Sequence, residues 1–216
     1  MAIYGQEEEE PENLNQISLS GALDSNVAWE IQFSYMRRIF PWFGAGVGAN
    51  MYHQYSDEID VQGDPIADPS AGSSISPWIL SDNSQRATGL QLNPYVHLNT
   101  PTLFSIEDAG INLYVEPGLL VTLASDRHVE VDYLGNAGYD IARDFSSNRG
   151  DWVFWNCRAG VALENNGGSI TLGYFASNMD IYAYKRHIHI DNVYLGDYLP
   201  HTHFNWGIYL RLGYNF

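Results

Sequence analysis

The sequence predicts an all-β fold, an eight-stranded antiparallel up-and-down transmembrane β-barrel. Three observations predict it: eight segments in which apolar and polar residues alternate, polar faces that contain almost no lysine, and connections that are short at one end and mostly long at the other. Alternation with a period of two is typical of strands whose two faces meet different surroundings.

The segment from His203 to Phe216 shows the alternation most clearly. Its apolar face carries Trp206, Ile208, Leu210, Leu212, Tyr214 and Phe216. Asparagine, glycine, tyrosine and arginine fill the opposite face. A tilted strand of about 9–11 residues crosses a bilayer, so this segment is long enough to span one.

Seven further segments repeat the pattern. In chain order the predicted strands cover about Leu14–Leu23, Val27–Arg37, Phe43–Tyr55, Thr88–Leu98, Ile111–Leu123, Trp152–Leu163, Ser169–Ser177 and His203–Phe216. The tight turn Asp24–Asn26 separates the first two strands. The run Asn165–Gly168 is a strong hairpin signal between the sixth and seventh.

Glycines and prolines mark special positions in the central strands. Gly44, Gly46 and Gly48 recur on one face of the third strand and predict a curved strand or a crowded lumen. Pro94 and Pro117 interrupt the fourth and fifth strands. Because proline has no N–H for a sheet ladder, we expect a bulge or weak pairing at both.

The polarity of the faces predicts which side points inward. Lys185 is the single lysine, and the polar faces consist mainly of Gly, Ser, Asn, Gln, Thr and Tyr. This composition favours a packed polar lumen with the apolar face toward lipid. A soluble lipocalin-like binder, the inverse arrangement, would need far more charge on its outer face.

Connection lengths favour the same fold. The short connections lie near Arg38–Pro41, Asn99–Gly110 and Glu164–Gly168, and the long ones span about Ser56–Ala87, Ala124–Asp151 and Asn178–Phe204. Short periplasmic turns and long outer loops are typical of outer-membrane barrels. Aromatic residues also cluster at the predicted strand ends, as interfacial belts require. The inner belt comprises Tyr35, Trp42, Phe43, Tyr214 and Phe216, and the outer belt Trp29, Tyr52, Tyr55, Trp152, Trp155 and Trp206.

Composition excludes several functions. The 26 acidic residues exceed the 10 basic ones, so nucleic acid is not an expected partner. Cys157 is the only cysteine, which excludes an internal disulfide framework and suggests a small lipid-facing side chain. Residues 1–13 are interpreted as a secretory-signal remnant followed by an acidic leader. Residues 14–216 are interpreted as one barrel domain, with no sign of a second core.

With these features the chain resembles the small eight-stranded outer-membrane barrels of the OmpA/OmpX type, particularly the "outer membrane protein beta-barrel" families of Bacteroidetes. The ending Gly207–Phe216, with Tyr214 and Phe216, is similar to the signal that the barrel assembly machinery recognises. The resemblance implies a monomer in the bacterial outer membrane. Its expected partners are membrane lipids, lipopolysaccharide, the assembly machinery and an unknown extracellular molecule.

Polar and charged residues on the inward faces form the first candidate site. Carboxylates and guanidinium groups in a narrow lumen should pair, because an unpaired buried charge is costly. We favour a packed, non-conducting plug over a narrow gated pore or a small polar ligand site. Glu164 is a further charged residue on these inward faces and lies near a strand end. The predicted network comprises Glu30, Gln32, Gln91, Asn112, Tyr114, Glu116, Arg158, Tyr209 and Arg211.

Histidines in the last long loop form the second candidate site. His187 and His189, like His201 and His203, are two residues apart, so each pair projects from one side of an extended chain. Zn²⁺ or another divalent ion suits such a set, with Asp191 or Asp197 as oxygen ligands. The favoured interpretation is an exposed polar loop in which the histidines lie among Tyr184, Tyr194 and Tyr198. A pH-responsive loop is the third alternative.

The remaining motifs predict no catalysis and no resident cofactor. The acidic residues of the first two long loops lack calcium-loop spacing and are expected to be solvated. His53, His97 and His128 have no serine at strand spacing, and no Gly-x-Ser-x-Gly elbow occurs. We therefore expect a structural or surface-interaction protein that acts through long acidic outer loops. A narrow channel or transporter for small solutes and a lipid A-modifying barrel enzyme remain the alternatives.

Overall fold

A computed structural model describes residues 14–55, 62–63, 78–81, 84, 86–106, 108–135, 138–165, 167–191, 193–199 and 204–216. Eight long strands form its barrel, and they are numbered here in chain order. They are β1 Asn15–Asp24, β2 Ala28–Phe40, β3 Phe43–Gln54, β4 Thr88–Asn99, β5 Ala109–Ser125, β6 Val153–Glu164, β7 Gly168–Ser177 and β8 Asn205–Asn215.

Each barrel strand pairs antiparallel with two neighbours. The strand order is β6-β7-β8-β1-β2-β3-β4-β5, so each strand lies beside the next one in sequence and β8 lies beside β1. Pairing between β5 and β6 completes the ring. At the β1–β8 junction the register runs from Gln16↔Asn215 to Asp24↔Gly207. A closed ring leaves no unpaired edge in these strands. The predicted fold class is confirmed, and the largest boundary difference is the end of β2 at Phe40 instead of Arg37.

Apolar residues face outward and polar residues face inward. In β1 and β2, Leu19, Leu23 and Phe33 are more than half exposed, whereas Ser20 and Gln32 on the alternate faces are buried. This is the polarity of a membrane barrel and the opposite of a soluble ligand-binding barrel. Among the described residues no helix is long and apolar enough to cross a membrane.

Glycines of β3 make room for large side chains inside the barrel. A Cβ atom on Gly46 would lie 2.6 Å from Cζ of Tyr95 and 2.7 Å from the carbonyl oxygen of Tyr35. A Cβ on Gly48 would lie 2.5 Å from Nε2 of Gln32. The crowded lumen predicted from these glycines is therefore confirmed.

Both interrupting prolines lie on one seam. In the β4–β5 register, direct partners occur at Leu92↔Val121 and Tyr95↔Gly118 but not at Pro94 or Pro117. Each proline instead pairs on its other side, Pro94 with β3 and Pro117 with β6. The missing N–H groups thus fall on the same seam, and the weak pairing expected there is confirmed.

Tight connections occupy one end of the barrel, called here the turn end. Residues 41–42 join β2 to β3, and residues 165–167 join β6 to β7. Asn165 Oδ1 accepts hydrogen bonds from the backbone N–H groups of Gly167 (3.0 Å) and Gly168 (2.8 Å), which fixes the second turn. Phe40 and Trp42 stack with ring centroids 5.7 Å apart at the same level.

The opposite end, called here the loop end, carries a second layer of structure. Strands Gly138–Ser146, His128–Gly135, Trp78–Leu80 and Gln62–Gly63 form a four-stranded sheet in that order. Its apolar core includes Trp78, Val131, Met179, Ile190 and Leu195, all almost fully buried. These apolar residues come from three separate loops and pack on Tyr52, Leu120 and Phe154 of the barrel strands, so no single stretch of sequence displays the core.

Tyr52 also differs from its predicted place. It was assigned to the outer aromatic belt, but its side chain is only 2% exposed and belongs to the loop-end core. Tyr52 is two residues from Asn50, so alternation places both on the inward face of β3. Position near a strand end was a poorer guide than the phase of the strand.

Candidate functional site

Glu116 is the centre of the strongest charge cluster in the lumen. Arg211 Nη1 donates to Glu116 Oε1 (2.7 Å), and Arg211 Nη2 donates to Glu116 Oε2 (2.5 Å). His97 Nδ1 lies 2.8 Å from Glu116 Oε1. A two-pronged arginine–carboxylate pair is both strong and geometrically rigid. It joins β5 to β8 across the interior of the barrel.

Glu30 and Arg158 form a second, looser pair. Arg158 Nη2 lies 3.6 Å from Glu30 Oε2, and Arg158 Nη1 donates to Ser20 Oγ at 3.3 Å. The Arg158 guanidinium also lies 5.2 Å from the centre of the Tyr209 ring and 5.9 Å from that of Phe175. Aromatic faces attract cations, so these rings compensate part of the burial of Arg158.

Amides and phenols fill the space between the charges. Asn93 Nδ2 donates to Gln32 Oε1 (3.1 Å), and Asn50 Nδ2 donates to Gln91 Oε1 (3.1 Å). The hydroxyl groups of Tyr114 and Tyr209 are hydrogen-bonded to each other across the barrel. All nine predicted network residues are buried. The interior is thus occupied by side chains that hold one another.

The turn end of the lumen is closed by a smaller polar cluster. Arg38 Nη2 donates to Glu164 Oε1 (2.5 Å), and Asn112 Nδ2 donates to Glu164 Oε2 (3.4 Å). Between this cluster and Arg211 lies a cavity of about 20 Å³. That volume accommodates about one water molecule, so it does not form a passage.

At the loop end, the connection between β7 and β8 folds into the barrel mouth. Met179 Sδ accepts a hydrogen bond from Gln91 Nε2 (2.8 Å), and Tyr182 donates its hydroxyl proton to Gln54 Oε1 (2.7 Å). Residues 178–199 are named here the strap. Because Met179 and Tyr182 are buried against lumen residues, the strap closes the mouth from above.

Two buried cations anchor the strap. Lys185 Nζ forms an ion pair with Asp126 Oδ2 (2.8 Å) and donates to the carbonyl oxygens of Ser84 (2.9 Å) and Arg86 (3.0 Å). Burial lowers the pKa of Lys185, and the Asp126 charge partly offsets this. Arg186 binds Asp180 through two nitrogens and donates to the carbonyl oxygen of Leu199 at 3.1 Å. The only lysine of the chain is therefore a structural anchor.

The expectation of an exposed polar last loop is wrong for most of the strap. Tyr184 is buried and Tyr194 half-buried, and only Tyr198 of the three tyrosines is largely exposed. The polar and titratable residues of this loop predict exposure, but they do not determine how the loop packs. Its apolar residues Ile181, Leu195 and Leu199, spaced without strand periodicity, were not recognised as a packing face.

The histidine set is only partly described. His187 and His189 are exposed, and the His189 ring makes a tilted contact with the Tyr194 ring, with ring centroids 4.7 Å apart. His201 and His203 lie outside the described residues. Within the described residues no group of three or more His, Cys, Asp or Glu side chains is arranged to hold a metal. Of the two suggested oxygen ligands, Asp191 accepts a hydrogen bond from Tyr133 and Asp197 is exposed.

The acidic residues of the first two long loops are also only partly described. Asp126 is engaged by Lys185, and Asp132 lies within a strand of the loop-end sheet. Much of the first acidic loop, including Asp57, Glu58, Asp60, Asp64 and Asp68, lies outside the described residues.

Sequence reasoning missed several members of the lumen network. His97, Asn50 and Asn93 are buried and hydrogen-bonded there. The available signal was the phase of the strand, which places Asn93 and His97 on the same face as the predicted Gln91. His97 had been considered only as a partner for a serine, so its carboxylate partner was overlooked.

Comparison with known proteins adds to this description at the level of architecture. No protein-family model and no curated protein sequence matches the chain. Among solved structures, the chain is similar to Neisserial surface protein A, with 10% identity over 94% of this chain and 96% of the other and a TM-score of 0.46. It is also similar to the N-terminal β-barrel domain of Pseudomonas aeruginosa OprF, with 12% identity over 94% of this chain and 96% of the other and a TM-score of 0.41.

A de novo designed transmembrane β-barrel covers 96% of this chain and all of its own length, with 8% identity and a TM-score of 0.44. These likenesses concern the type of barrel and carry no residue roles. The assignment of the fold rests on the strand pairings themselves. The chain is a closed eight-stranded antiparallel transmembrane β-barrel.

Proposed function

We propose that this protein is a monomeric, non-conducting barrel of the bacterial outer membrane with a structural or surface-interaction role. The observation that carries the proposal is the closed lumen: paired charges fill the interior, and the strap covers the loop end. The four-stranded loop-end sheet and the strap together are named here the cap, and the exposed side of the cap is then the surface that binds a partner. Membership of the Bacteroidetes barrel families is part of the same proposal and rests on the architecture.

The apolar outer face supports a location in the membrane. Leu172, Leu210 and Leu212 are more than half exposed, and such residues are stable in lipid rather than in water. Aromatic rings lie at the rims, Trp206 at the loop end and Tyr214 at the turn end, as at membrane interfaces. With long loops at one end and tight turns at the other, the loop end faces the outside of the cell.

The contacts of the interior support the absence of conduction. Eight strands enclose only enough space for side chains. An ion would have to separate Glu116 from Arg211 and also displace Met179 and Tyr182 of the strap.

Conductance in planar bilayers tests this proposal. We expect the refolded protein to give no channels, and Arg211→Ala or Lys185→Ala to give at most brief openings together with lowered stability. Steady conductance of the unmodified protein would favour the alternative of a narrow channel. A strong increase caused by Arg158→Ala or Arg211→Ala without loss of stability would show that these residues gate a pore.

Mass spectrometry of lipid A tests the enzymatic alternative. Outer membranes are prepared with and without the protein, and we expect identical lipid A in both. A modified species that appears only with the protein would replace the structural role with catalysis.

A further inference from the structure

A pocket of about 590 Å³ lies on the exposed side of the cap, outside the lumen site. It is formed where the chain runs from the strand Gly138–Ser146 to the start of β6, with the strap beside it. The residues that line it are Ser146, Ser147, Asn148, Arg149, His187, His189 and Tyr194. No carboxylate is among these lining residues, although the chain as a whole has a formal net charge of −16.

Arg149 is a cation of the loop end that forms no ion pair among the described residues, in contrast to Lys185 and Arg186. Arg127 and Arg143 of the same end form none either, but their guanidinium groups lie over the rings of Tyr184 and Tyr133. The Arg149 side chain is exposed beside His187 and His189. A guanidinium presents several N–H donors in a fixed plane, and each imidazole adds at least one more.

The wall that carries Arg149 is held in place by its own hydrogen bonds. The backbone N–H of Arg149 donates to Ser147 Oγ (3.1 Å), and the N–H of Ser147 donates to the carbonyl oxygen of Arg127 (3.2 Å). Asn148 accepts a hydrogen bond from Arg127 at 3.4 Å. These hydrogen bonds hold in place the backbone from which the Arg149 side chain extends.

Gly150 brings the two walls together. Its φ of +156° lies in the region that favours glycine, and a Cβ there would lie 2.9 Å from the carbonyl oxygen of Ala183 and 3.0 Å from Tyr184 Cδ1. The strap thus packs directly against the segment that carries Arg149. On the strap side, the His189 ring contacts the Tyr194 ring, with an angle of 32° between the two planes.

The height of the pocket relative to the membrane indicates which class of molecule it can bind. Arg149 precedes Trp152 by three residues, a distance of at most about 10 Å in extended chain. Trp152 is 58% exposed, and Trp155 contacts Phe204 with ring centroids 6.1 Å apart. Exposed tryptophans mark the boundary of the hydrocarbon layer, so the pocket opens at the level of the outer lipid headgroups.

We propose that this pocket binds a phosphate group carried on the saccharide headgroup of an outer-leaflet lipid. Arg149 binds the phosphate oxygens, His187 and His189 donate further hydrogen bonds, and Ser146 and Asn148 contact the sugar hydroxyls. The proposal rests on the outer-membrane location proposed above. Asp144, Asp151 and Asp191 are the nearest acidic residues along the two walls, each two positions from a lining residue, and Asp191 is engaged by Tyr133.

Binding to a phosphorylated glycolipid tests the proposal on the refolded full chain. The probe is a glycolipid with a phosphorylated disaccharide headgroup in mixed micelles, and the reference is the same lipid after removal of its phosphates. We expect tighter binding of the phosphorylated form. Arg149→Ala should weaken it roughly tenfold or more, since hydrogen bonds between charged groups are the strong ones. Adding His187→Ala and His189→Ala to Arg149→Ala should weaken the binding further.

Matched controls separate the pocket from general electrostatics. Arg37→Ala removes an exposed arginine at the turn end, the end of the barrel opposite the pocket. It should not change the affinity. Arg149→Lys should restore part of it, because the charge remains but the planar donor set is lost. A heat-dependent gel shift of each variant confirms that its barrel has folded.

Glucose 1-phosphate, added without lipid, distinguishes the source of the phosphate. Arg149-dependent binding of the glycolipid alone supports a membrane lipid, and similar binding of the free sugar phosphate assigns the pocket to a soluble ligand. Equal binding of both lipid forms, or no effect of Arg149→Ala, would overturn the proposal. Failure of the gel shift in the unmodified protein would instead overturn the proposed location.

Discussion

Single residues of the lumen act through pairs. Arg211→Ala leaves the Glu116 carboxylate buried without its main partner, and breaking such a pair costs about 3–5 kcal/mol. We expect this loss in the free energy of unfolding, measured by urea in lipid vesicles. The double variant Glu116→Gln/Arg211→Met should cost much less than the sum of the single changes. Strict additivity would show that the two side chains are not coupled.

Two glycines test how tightly the lumen is packed. Gly46→Ala places a methyl group against the Tyr35 carbonyl and the Tyr95 ring, and overpacking of this kind costs about 1–3 kcal/mol. Gly21→Ala is the matched control, because a Cβ there meets no atom within 4 Å. We expect a lower urea midpoint for the first variant only. Equal midpoints would contradict the crowded interior.

The sequence predicted the lumen residues better than their partners. Alternation placed Glu116 and Arg211 on inward faces, but pairing across the barrel depends on the stagger between β5 and β8, which alternation does not contain. The same limit explains why His97 was not recognised as a partner of Glu116. Tyr52 was misplaced because its position near a strand end was given more weight than its phase.

Among the elements, the strap is the part whose stability can be changed separately. Lys185→Met removes the ion pair with Asp126 and the hydrogen bonds to two loop carbonyls. We expect limited proteolysis of the strap to become roughly tenfold faster, because the open form gains population when charged hydrogen bonds are lost. The heat-dependent gel shift of the barrel should persist, and His128→Ala should change neither. A loss of the gel shift would mean that strap and barrel unfold together.

Alkaline pH should loosen the contact between the loop-end sheet and the strap. Burial raises the pKa of Tyr133 to about 12, and its hydroxyl donates to Asp191 Oδ2 at 2.9 Å. In the unfolded chain a tyrosine ionises near pH 10. The neutral phenol is therefore favoured in the folded state, and stability falls as pH rises from about 10 to about 12.

Proteolysis of the strap across this range measures the effect. Tyr133→Phe should flatten the dependence on pH, whereas Tyr198→Phe, which changes an exposed tyrosine of the strap, should leave it unchanged. An unaltered dependence in Tyr133→Phe would show that other groups cause the loosening.

The strap was not predictable from periodicity, for a physical reason. Its apolar residues bury themselves against Trp78, Val131 and other residues from different loops, so the packing face exists only after the barrel has brought the loops together. Barrel strands repeat a regular geometry, and each carries its own signal. Loops that pack on one another carry no comparable local signal.

At the scale of the whole molecule, the fold depends most on which face of each strand is polar and which is apolar. Eight alternating segments and the distribution of short and long connections were sufficient to predict the closed barrel, and the strand pairings confirm it. Alternation alone is common to soluble and membrane barrels. The scarcity of lysine on the polar faces was the observation that distinguished them.

The most direct test of the account is a denaturing gel of outer-membrane and soluble fractions, each loaded with and without boiling, from cells that export the chain. A closed membrane barrel resists detergent until it is heated. We predict that the protein is in the outer-membrane fraction and that the unboiled sample migrates differently from the boiled one. A soluble protein with the same mobility in both samples would contradict the membrane barrel and the proposals that depend on it.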